Sequence, residues 1–190
     1  MLTPSPTVII LAAGKGERFL ASGTSTHKLN ALLNGKPVLW HVLQAVQASG
    51  LQWHLVKPEG GTGGMGDSIA MGVRATANAS GWLILPADLP LISPASLQHV
   101  ADTLREKPVV VPYYRKRQGH PVGFRRECVH SLMALSGDMG AREIVRDSRP
   151  EGNVLDLSLA DVGIVHDIDV LSDLRLARRW LSARARRIAL

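Results

Sequence analysis

Short apolar runs alternate with stretches of helical spacing over the first half of the chain. Val8-Ile9-Ile10-Leu11 and Trp82-Leu83-Ile84-Leu85 have strand length and end at turn residues, which predicts buried parallel strands. A weaker strand is predicted at His54-Leu55-Val56. Helices are predicted between the strands from apolar stripes of helical spacing, formed by Leu39, Leu43 and Val46, by Ile69, Val73 and Ala77, and by Leu97, Val100 and Leu104.

Local signals place the ends of these helices. Pro37 suits the first helical position, and Gly50 the end of the first helix. Either Asp67 or Ser68 can cap the second helix, and Ser93-Pro94 opens the third. The boundaries are therefore predicted from residue type as well as from spacing.

Strand and helix signals lie closer together in the second half of the chain. Val109-Val110-Val111 predicts a strand, and the basic turn at 115–118 leads to Gly119-His120-Pro121-Val122-Gly123-Phe124, which can return antiparallel. The other predicted elements are short helices at 129–135 and 141–145, strands at 154–157 and 163–165, and a terminal helix capped by Ser172.

This order of elements predicts an α/β fold in one domain over residues 1–190. Strands that alternate with helices form parallel sheets covered on both faces, whereas locally paired strands are antiparallel. We therefore expect a three-layer α/β/α architecture with a mixed, mostly parallel sheet. No internal repeat and no linker interrupts the sequence.

Composition and charge narrow the function classes. The chain has 190 residues, a net charge of +6 and one cysteine, Cys128, which suits a half-buried apolar position better than a nucleophile. No apolar run approaches the ~18 residues of a membrane span, and no signal peptide is visible, so we expect a cytoplasmic protein. The positive charge favours phosphorylated ligands. A solvated helix face explains the C-terminal arginines better than nucleic-acid binding does: Arg175, Arg178, Arg179, Arg184, Arg186 and Arg187.

A glycine-rich segment follows the first predicted strand. It reads Leu11-Ala12-Ala13-Gly14-Lys15-Gly16-Glu17-Arg18-Phe19. Small residues let backbone N–H groups approach phosphate oxygens, and Arg18 adds a charged fork. The segment matches neither the P-loop nor the dinucleotide pattern Gly-x-Gly-x-x-Gly. Taken alone, it is as compatible with a tight turn as with a phosphate site.

Six segments, in order, resemble the signatures of one enzyme family. The first is the glycine-rich segment, which resembles Leu-Ala-Ala-Gly-x-Gly-x-Arg-Phe/Met of the GT-A-type nucleotidyltransferases. The others are His27-Lys28-Leu29 with Gly35-Lys36-Pro37, Gly64 to Gly72, Leu85-Pro86-Ala87-Asp88, Gly119 to Phe124 with Gly137 to Arg142, and Asp167-Ile168-Asp169. Together they resemble the MobA-like NTP transferases, and most of all the molybdenum cofactor cytidylyltransferases.

The resemblance implies a Rossmann-like nucleotidyltransferase fold and a reaction. A phosphate of a small acceptor, expected to be molybdopterin, attacks the α-phosphate of a nucleoside triphosphate and releases pyrophosphate. Such transfers need positioning and charge neutralisation, and Mg²⁺ is the expected metal. A molybdenum oxidoreductase is a possible downstream partner.

The same resemblance assigns charged residues to the reaction. Asp88 follows a buried strand, where open α/β sheets place ligands, and is the first metal-ligand candidate, with a turn or cap aspartate before Pro90 as the alternative. Asp169 and Asp167 are the next, with capping of the last helix as the alternative. Lys28 is the candidate catalytic cation. Lys15 and Arg18 would hold the β- and γ-phosphates, although each of these cations alone is more typical of a solvated surface charge.

Four further candidates each have a structural alternative. Gly66 and Ser68 would contact the base or ribose, or belong to a helix cap. His120 would touch the second substrate, or lie exposed in a hairpin. Arg142, with Asp138, would bind the pterin phosphate or a structural partner.

The sequence departs from the family pattern at two places. His27 stands where relatives usually have proline, and only loop stiffness is expected to change. Between Gly50 and Gly64 there is room for one strand, where relatives have a strand, a helix and another strand. Either an edge unit is lost or the region is reorganised.

Base specificity follows from the first loop. Ala12-Ala13-Gly14 resembles cytidylyl-transferring members, whereas guanylyl-transferring members usually have Ala-Gly-Gly. A methyl group at the second position would narrow the pocket toward a pyrimidine, which predicts CTP. The alternatives are a sugar-phosphate nucleotidyltransferase and a non-catalytic protein that binds the cofactor for a molybdenum oxidoreductase.

Overall fold

A seven-stranded sheet forms the centre of the molecule. The computed structural model describes residues 4–189. The strands of the sheet lie in the order β4-β1-β5-β8-β6-β7, with β9 paired to β6. Their bounds are β1 Thr7–Leu11, β4 Gln52–Val56, β5 Gly81–Pro86, β6 Val109–Tyr114, β7 Arg117–Gln118, β8 Val122–Arg125 and β9 Val154–Ser158. A separate two-stranded ribbon consists of β2 Leu32–Leu33 and β3 Lys36–Pro37.

Most strands of the sheet run in one direction. Both neighbours of β1, the strands β4 and β5, are parallel to it, and β9 is parallel to β6. β8 runs antiparallel between β5 and β6, and the short β7 continues the same return along β6. The expected mixed, mostly parallel sheet is confirmed.

Helices cover both faces of the sheet. They are α1 Glu17–Ala21, α2 Val38–Ala48, α3 Met65–Ala75, α4 Pro94–Thr103, α5 Val129–Met133, α6 Arg142–Ser148 and α7 Leu171–Ile188. One core joins α2, α4 and α7 to the side chains of Val8, Ile10, Leu83 and Leu85. A second core joins α3, α5 and α6 to Ile9, Trp82 and Ile84. Successive side chains of β1 and β5 thus point to opposite cores, as a strand buried on both faces requires.

Three local predictions are wrong. Helix α3 begins at Met65 after Gly64, and neither Asp67 nor Ser68 caps it. Residues 163–165 do not form a strand, because Val162–Ile164 is a 3-10 turn capped by the side chain of Asp161. The terminal helix begins at Leu171, before Ser172.

Close packing explains two of these differences. A Cβ on Gly64 would lie 2.4 Å from the carbonyl oxygen of Gly137, so the chain enters α3 against another loop. A Cβ on Gly163 would lie 2.1 Å from the carbonyl oxygen of Leu91, so this turn is pressed onto the segment before α4. Both contacts are distant in sequence and leave no local signal.

The region between Gly50 and Gly64 contains one strand. β4 lies at one edge of the sheet, and residues 57–64 lead from it directly into α3. This agrees with the loss of an edge unit rather than a rearrangement of the sheet.

Within residues 4–189, no helix combines the length and the apolar character that crossing a bilayer would need.

Candidate active site

A cleft of about 730 Å³ opens at the carboxyl ends of β1 and β5. Ligands of open α/β sheets bind at this edge, because the loops that follow parallel strands converge there. Four segments supply its wall: residues 11–18 with Lys28 and Leu29, residues 62–65 with Ser68, residues 86–88 with Asp138, and Asp167 with Asp169.

The glycine-rich loop forms one wall of the cleft. Its start is fixed by two backbone hydrogen bonds, from Ala12 N to Val56 O at 3.0 Å and from Ala87 N to Leu11 O at 2.9 Å. The N–H groups of residues 13–15 donate to no other group of the described chain. Gly16 has a φ of 66°, a left-handed conformation that glycine adopts without strain, and the chain turns there into α1. Free N–H groups on a loop that leads into a helix suit a phosphate.

Lys28 and Asp88 form an ion pair on the floor of the cleft. The Lys28 Nζ lies 2.7 Å from Asp88 Oδ2, and each side chain is 17% exposed. Asp88 comes two residues after β5, and Lys28 begins a 3-10 turn, Lys28–Asn30. The pair is largely shielded from water, so its two charges interact more strongly than a surface pair would.

Arg18 and Asp169 form a second pair at the mouth of the cleft. Arg18 Nη1 donates to Asp169 Oδ2 at 2.7 Å, and this hydrogen bond raises the pKa of Arg18. The Arg18 side chain is 79% exposed, so a ligand can replace Asp169 as its partner at little cost.

Backbone contacts hold the two aspartate segments together. The N–H of Ile168, between Asp167 and Asp169, donates to the carbonyl oxygen of Asp88 at 2.9 Å. The N-cap residue of α7 is Val170, and the side chain of Asp173 in the first turn closes this end of the helix, with its Oδ2 accepting from Asp169 N and Val170 N. Capping of the last helix therefore does not explain Asp167 or Asp169.

Three predicted site residues do not line the cleft: Gly66, His120 and Arg142. Gly66 N donates to Gly137 O at 2.8 Å, and a Cβ on Gly66 would lie 2.4 Å from Met139 O. The glycine is thus covered by the loop before α6 and cannot contact a base. Arg142 is exposed at the start of α6.

His120 lies outside the wall of the cleft. The backbone N–H of His120 donates to Ile164 O at 2.9 Å. The ring Nδ1 is buried and has no hydrogen-bond partner among the described residues. Burial lowers the pKa of His120, while the charges of Asp88 and Asp167 act in the opposite direction. The alternative of an exposed hairpin residue is therefore wrong.

The family is settled by the middle of the chain. The model of the MobA-like NTP transferase domain matches residues 45–153, more than half of the sequence. The chain belongs to the MobA-like NTP transferase family. The match includes Asp88 but not the glycine-rich loop, so this assignment does not depend on the resemblance of that loop.

The chain is also similar to a curated protein and to several solved structures. The bifunctional protein GlmU of Syntrophomonas wolfei is 26% identical over 140 residues, which cover 63% of this chain and 30% of that protein. This chain thus spans less than a third of that relative's length.

Among solved structures, the fold recurs over whole chains. Rv0371c of Mycobacterium tuberculosis has a TM-score of 0.75 and 23% identity, covering 94% of this chain and 100% of that one. A second structure of Rv0371c is a complex with manganese, with a TM-score of 0.70 and 22% identity over 92% of this chain and 98% of that one.

A molybdopterin-guanine dinucleotide biosynthesis protein A from Archaeoglobus fulgidus has a TM-score of 0.61 and 16% identity. The alignment of the two structures covers 93% of this chain and 99% of the Archaeoglobus protein. At these identities the likenesses establish the nucleotidyltransferase fold.

Sequence reasoning missed Thr62 and Gly63, which line the cleft beside the predicted Ser68. Gly64, Met65 and Asp138 also line the cleft. Thr62 Oγ1 lies 2.6 Å from Ser68 Oγ, and the Ser68 hydroxyl also donates to Gly64 O. The glycines directly before α3, Gly63 and Gly64, were the available signal, because glycine lets the backbone approach a ligand closely.

Proposed function

We propose that this chain is a nucleotidyltransferase that moves a nucleotidyl group from a nucleoside triphosphate to a phosphate of a small acceptor. The observation that carries the proposal is the Lys28–Asp88 pair, which lies in the same cleft as the glycine-rich loop. In the reaction, an acceptor phosphate oxygen forms a bond to the α-phosphorus, and the bond from that phosphorus to the β-phosphate bridging oxygen breaks. Pyrophosphate leaves with both electrons of the broken bond.

The charges of the cleft suit this chemistry. The substrate phosphates are negatively charged, and further negative charge develops on the pyrophosphate as its bond to the α-phosphorus breaks. Cations stabilise this charge. Lys28 and Arg18 are the cations, with Lys15 on the same loop, and free N–H groups of the loop can hold the outer phosphates. When phosphates take Lys28 and Arg18 as partners, Asp88 and Asp169 lose theirs.

These released carboxylates fit a magnesium ion. Mg²⁺ in phosphoryl-transfer sites takes one or two carboxylates and completes its shell with phosphate oxygens and water. No group of three or more His, Cys, Asp or Glu side chains that could hold a metal occurs within residues 4–189. Asp88, Asp169 and Asp167 line the same cleft, and this donor set suits a metal that arrives with the nucleotide. Such an ion would neutralise charge on the phosphates.

CTP is the proposed nucleotide and molybdopterin the proposed acceptor. Ala12 is 6% exposed, whereas Ala13 is half-buried on the cleft wall, where its methyl group reduces the space available to a base. The resemblance of the six ordered segments supports a molybdopterin acceptor, and one protein of the same fold is named for molybdopterin-guanine dinucleotide biosynthesis. A molybdenum oxidoreductase would be the downstream partner.

Pyrophosphate release tests the proposal. The purified protein is incubated with Mg²⁺ and each of CTP, GTP, ATP and UTP, with molybdopterin or with sugar phosphates as acceptor. We expect the fastest release with CTP and molybdopterin. A clear preference for GTP would contradict the base assignment, and release only with sugar phosphates would contradict the acceptor.

An Asp88→Asn variant tests the site itself. It keeps the shape but removes the charge that pairs with Lys28, so kcat should fall about 10²- to 10³-fold, the effect of losing one key electrostatic group. Asp102→Asn is the control, because Asp102 is exposed on α4 and pairs only loosely with Arg105, at 3.9 Å. Equal activity of the two variants would contradict the site.

A further inference from the structure

His27 connects the glycine-rich loop to the turn that carries Lys28. Its Nε2 lies 2.8 Å from the carbonyl oxygen of Gly14, thirteen residues earlier in the chain. Its Nδ1 lies 3.2 Å from the backbone nitrogen of Leu29, two residues later. The second contact caps the 3-10 turn Lys28–Asn30. One imidazole ring thus bonds both parts of the cleft wall.

The two partners fix which nitrogen of the ring carries the proton. A carbonyl oxygen only accepts a hydrogen bond, so Nε2 must donate to Gly14 O. A backbone N–H only donates, so Nδ1 must be the bare acceptor for Leu29. Both bonds exist together only in the neutral ring with its proton on Nε2.

The ring also packs on the loop. A Cβ built on Gly16 would lie 3.1 Å from His27 Nε2 and 3.5 Å from Lys28 Cγ. Gly16 is the residue at which the loop turns into α1. The position of the loop backbone and the direction of the Lys28 side chain therefore depend on the same ring.

We propose that His27 is a positioning residue that sets the distance between the phosphate-binding loop and Lys28. The inference rests on the proposed function, because it assigns the loop to the outer phosphates and Lys28 to the reacting phosphate. The Gly14 bond orients the loop, and the Leu29 bond orients the start of the turn from which Lys28 reaches Asp88 at 2.7 Å. The two bonds thus act on different parts of the reaction.

Two amide substitutions separate the bonds. The short side chain of His27→Asn can still accept from the Leu29 N–H, in the geometry of an Asx turn, but it cannot reach Gly14. The longer side chain of His27→Gln can still donate to the Gly14 carbonyl, but it no longer caps the turn. His130→Asn and His130→Gln are the matched controls, because His130 is exposed on α5 and outside the cleft wall.

Steady-state kinetics give different expectations for the two variants. One lost hydrogen bond corresponds to a change of about fivefold. His27→Asn should raise KM for the nucleotide by about that factor with kcat nearly unchanged, since the loop is released. His27→Gln should lower kcat by a similar factor with KM nearly unchanged, since Lys28 loses its fixed origin. The controls should match the wild type.

Two measurements decide the proposal without turnover. The ¹⁵N NMR signals of the wild-type imidazole should show a proton on Nε2 and none on Nδ1. Calorimetric titration measures the dissociation constant of Mg²⁺–CTP from the protein. This constant should rise in His27→Asn and stay near the wild-type value in His27→Gln. A ring protonated on Nδ1, or kinetic constants and binding unchanged in both variants, would overturn the proposal. So would a lower melting temperature with no other change.

These outcomes are separable from failure of the proposed function. Absence of pyrophosphate release by the wild-type protein would contradict the nucleotidyltransferase assignment. The tautomer and nucleotide-binding measurements would still support or overturn the role of His27 in orienting the loop.

Discussion

At the scale of single residues, the candidate site consists of charges that are already paired. Asp88 holds Lys28, and Asp169 holds Arg18. Each carboxylate thus has a cation as its partner, which avoids the free-energy cost of a shielded charge without a counter-charge. Under the proposed function, the phosphates of the nucleotide replace the carboxylates as partners of Lys28 and Arg18, and the metal ion replaces these cations as the partner of Asp88 and Asp169.

His27 shows how one residue can be misjudged from sequence. Where relatives usually have proline, only loop stiffness was expected to differ. The side chain instead makes two hydrogen bonds, to Gly14 and to the Leu29 amide, that proline could not make. A residue's partner thirteen positions away is not visible in local spacing.

His120 gives a prediction for pH dependence. Its pKa in the folded protein lies below the ordinary value because the ring is buried, so the unfolded chain binds the proton more tightly. The contribution of neutral His120 to the free energy of unfolding is therefore fully present above the pKa of the unfolded chain, about 6.5. It is lost as the pH falls through the lower pKa of the folded protein. One titrating group can change the free energy of unfolding by at most about 1.4 kcal/mol per pH unit.

Urea unfolding at pH 7.5 and pH 5.5, without nucleotide or metal, measures this effect. The wild type should lose more free energy of unfolding on acidification than His120→Gln does. His99→Gln, at an exposed position on α4, should behave as the wild type. Equal losses in the wild type and His120→Gln would show that the ring titrates normally.

At the scale of elements, the segments that carry the site are held by contacts distant in sequence. Asp161 is the clearest case. Its carboxylate accepts from Ser93 N and Ser96 Oγ at the start of α4 and from Gly163 N in the 3-10 turn, and it pairs with Arg184 of α7. The turn then leads to Asp167 and Asp169. One buried carboxylate thus joins three elements behind the cleft.

Removal of this carboxylate should destabilise the protein. Asp161→Ala leaves buried N–H donors without an acceptor, and the expected loss in free energy of unfolding is about 3 kcal/mol. Asp156→Ala is the matched control, because Asp156 pairs with Arg149 at the surface, with 49% of its side chain exposed. Its loss should stay within about 1 kcal/mol. Similar losses in the two variants, measured by urea unfolding, would contradict the role given to Asp161.

At the scale of the whole molecule, charge distribution and fold agree on an anionic ligand. The net charge is +6, but part of the basic C-terminal helix has structural partners. Arg178 donates to Leu32 O and Arg184 to Leu91 O, so these side chains attach α7 to the segments around Leu32 and Leu91. The helix is therefore only partly the solvated face that was expected.

Ligand binding should raise the melting temperature of the whole domain. With Mg²⁺ and CTP each far above their binding constants, the stabilisation is about 2.7 kcal/mol at a hundredfold excess, or roughly 5–10 °C for a chain of this size. Mg²⁺ or CTP alone should shift it less, because one member of each ion pair then stays unpaired. Differential scanning fluorimetry of the wild type and Lys28→Met measures the shift.

Lys28→Met should lose most of the joint effect. Lys116→Met is the control, since Lys116 is exposed in the turn between β6 and β7. An equal shift with CTP alone and with CTP plus Mg²⁺ would contradict a metal that binds with the nucleotide.

The sequence by itself determined the order of elements, the buried strands and the family. Apolar runs such as Val8 to Leu11 and helical stripes such as Leu97, Val100 and Leu104 arise from local periodicity, because burial of one face requires it. The cap of α4 was also readable, since Ser93 accepts from Ser96 N within one turn. The six ordered segments added the family, which the domain match confirms.

Only the tertiary structure decided which charges meet and which glycines are covered. Lys28 and Asp88 are 60 residues apart and Arg18 and Asp169 are 151 apart, so no local pattern pairs them. Residues 163–165, where a strand was expected, belong to a 3-10 turn because Gly163 packs against Leu91. Gly66 does not line the cleft because the 136–139 loop covers it. Local propensity is a weak preference that long-range packing overrides, and the site lies where such packing brings loops together.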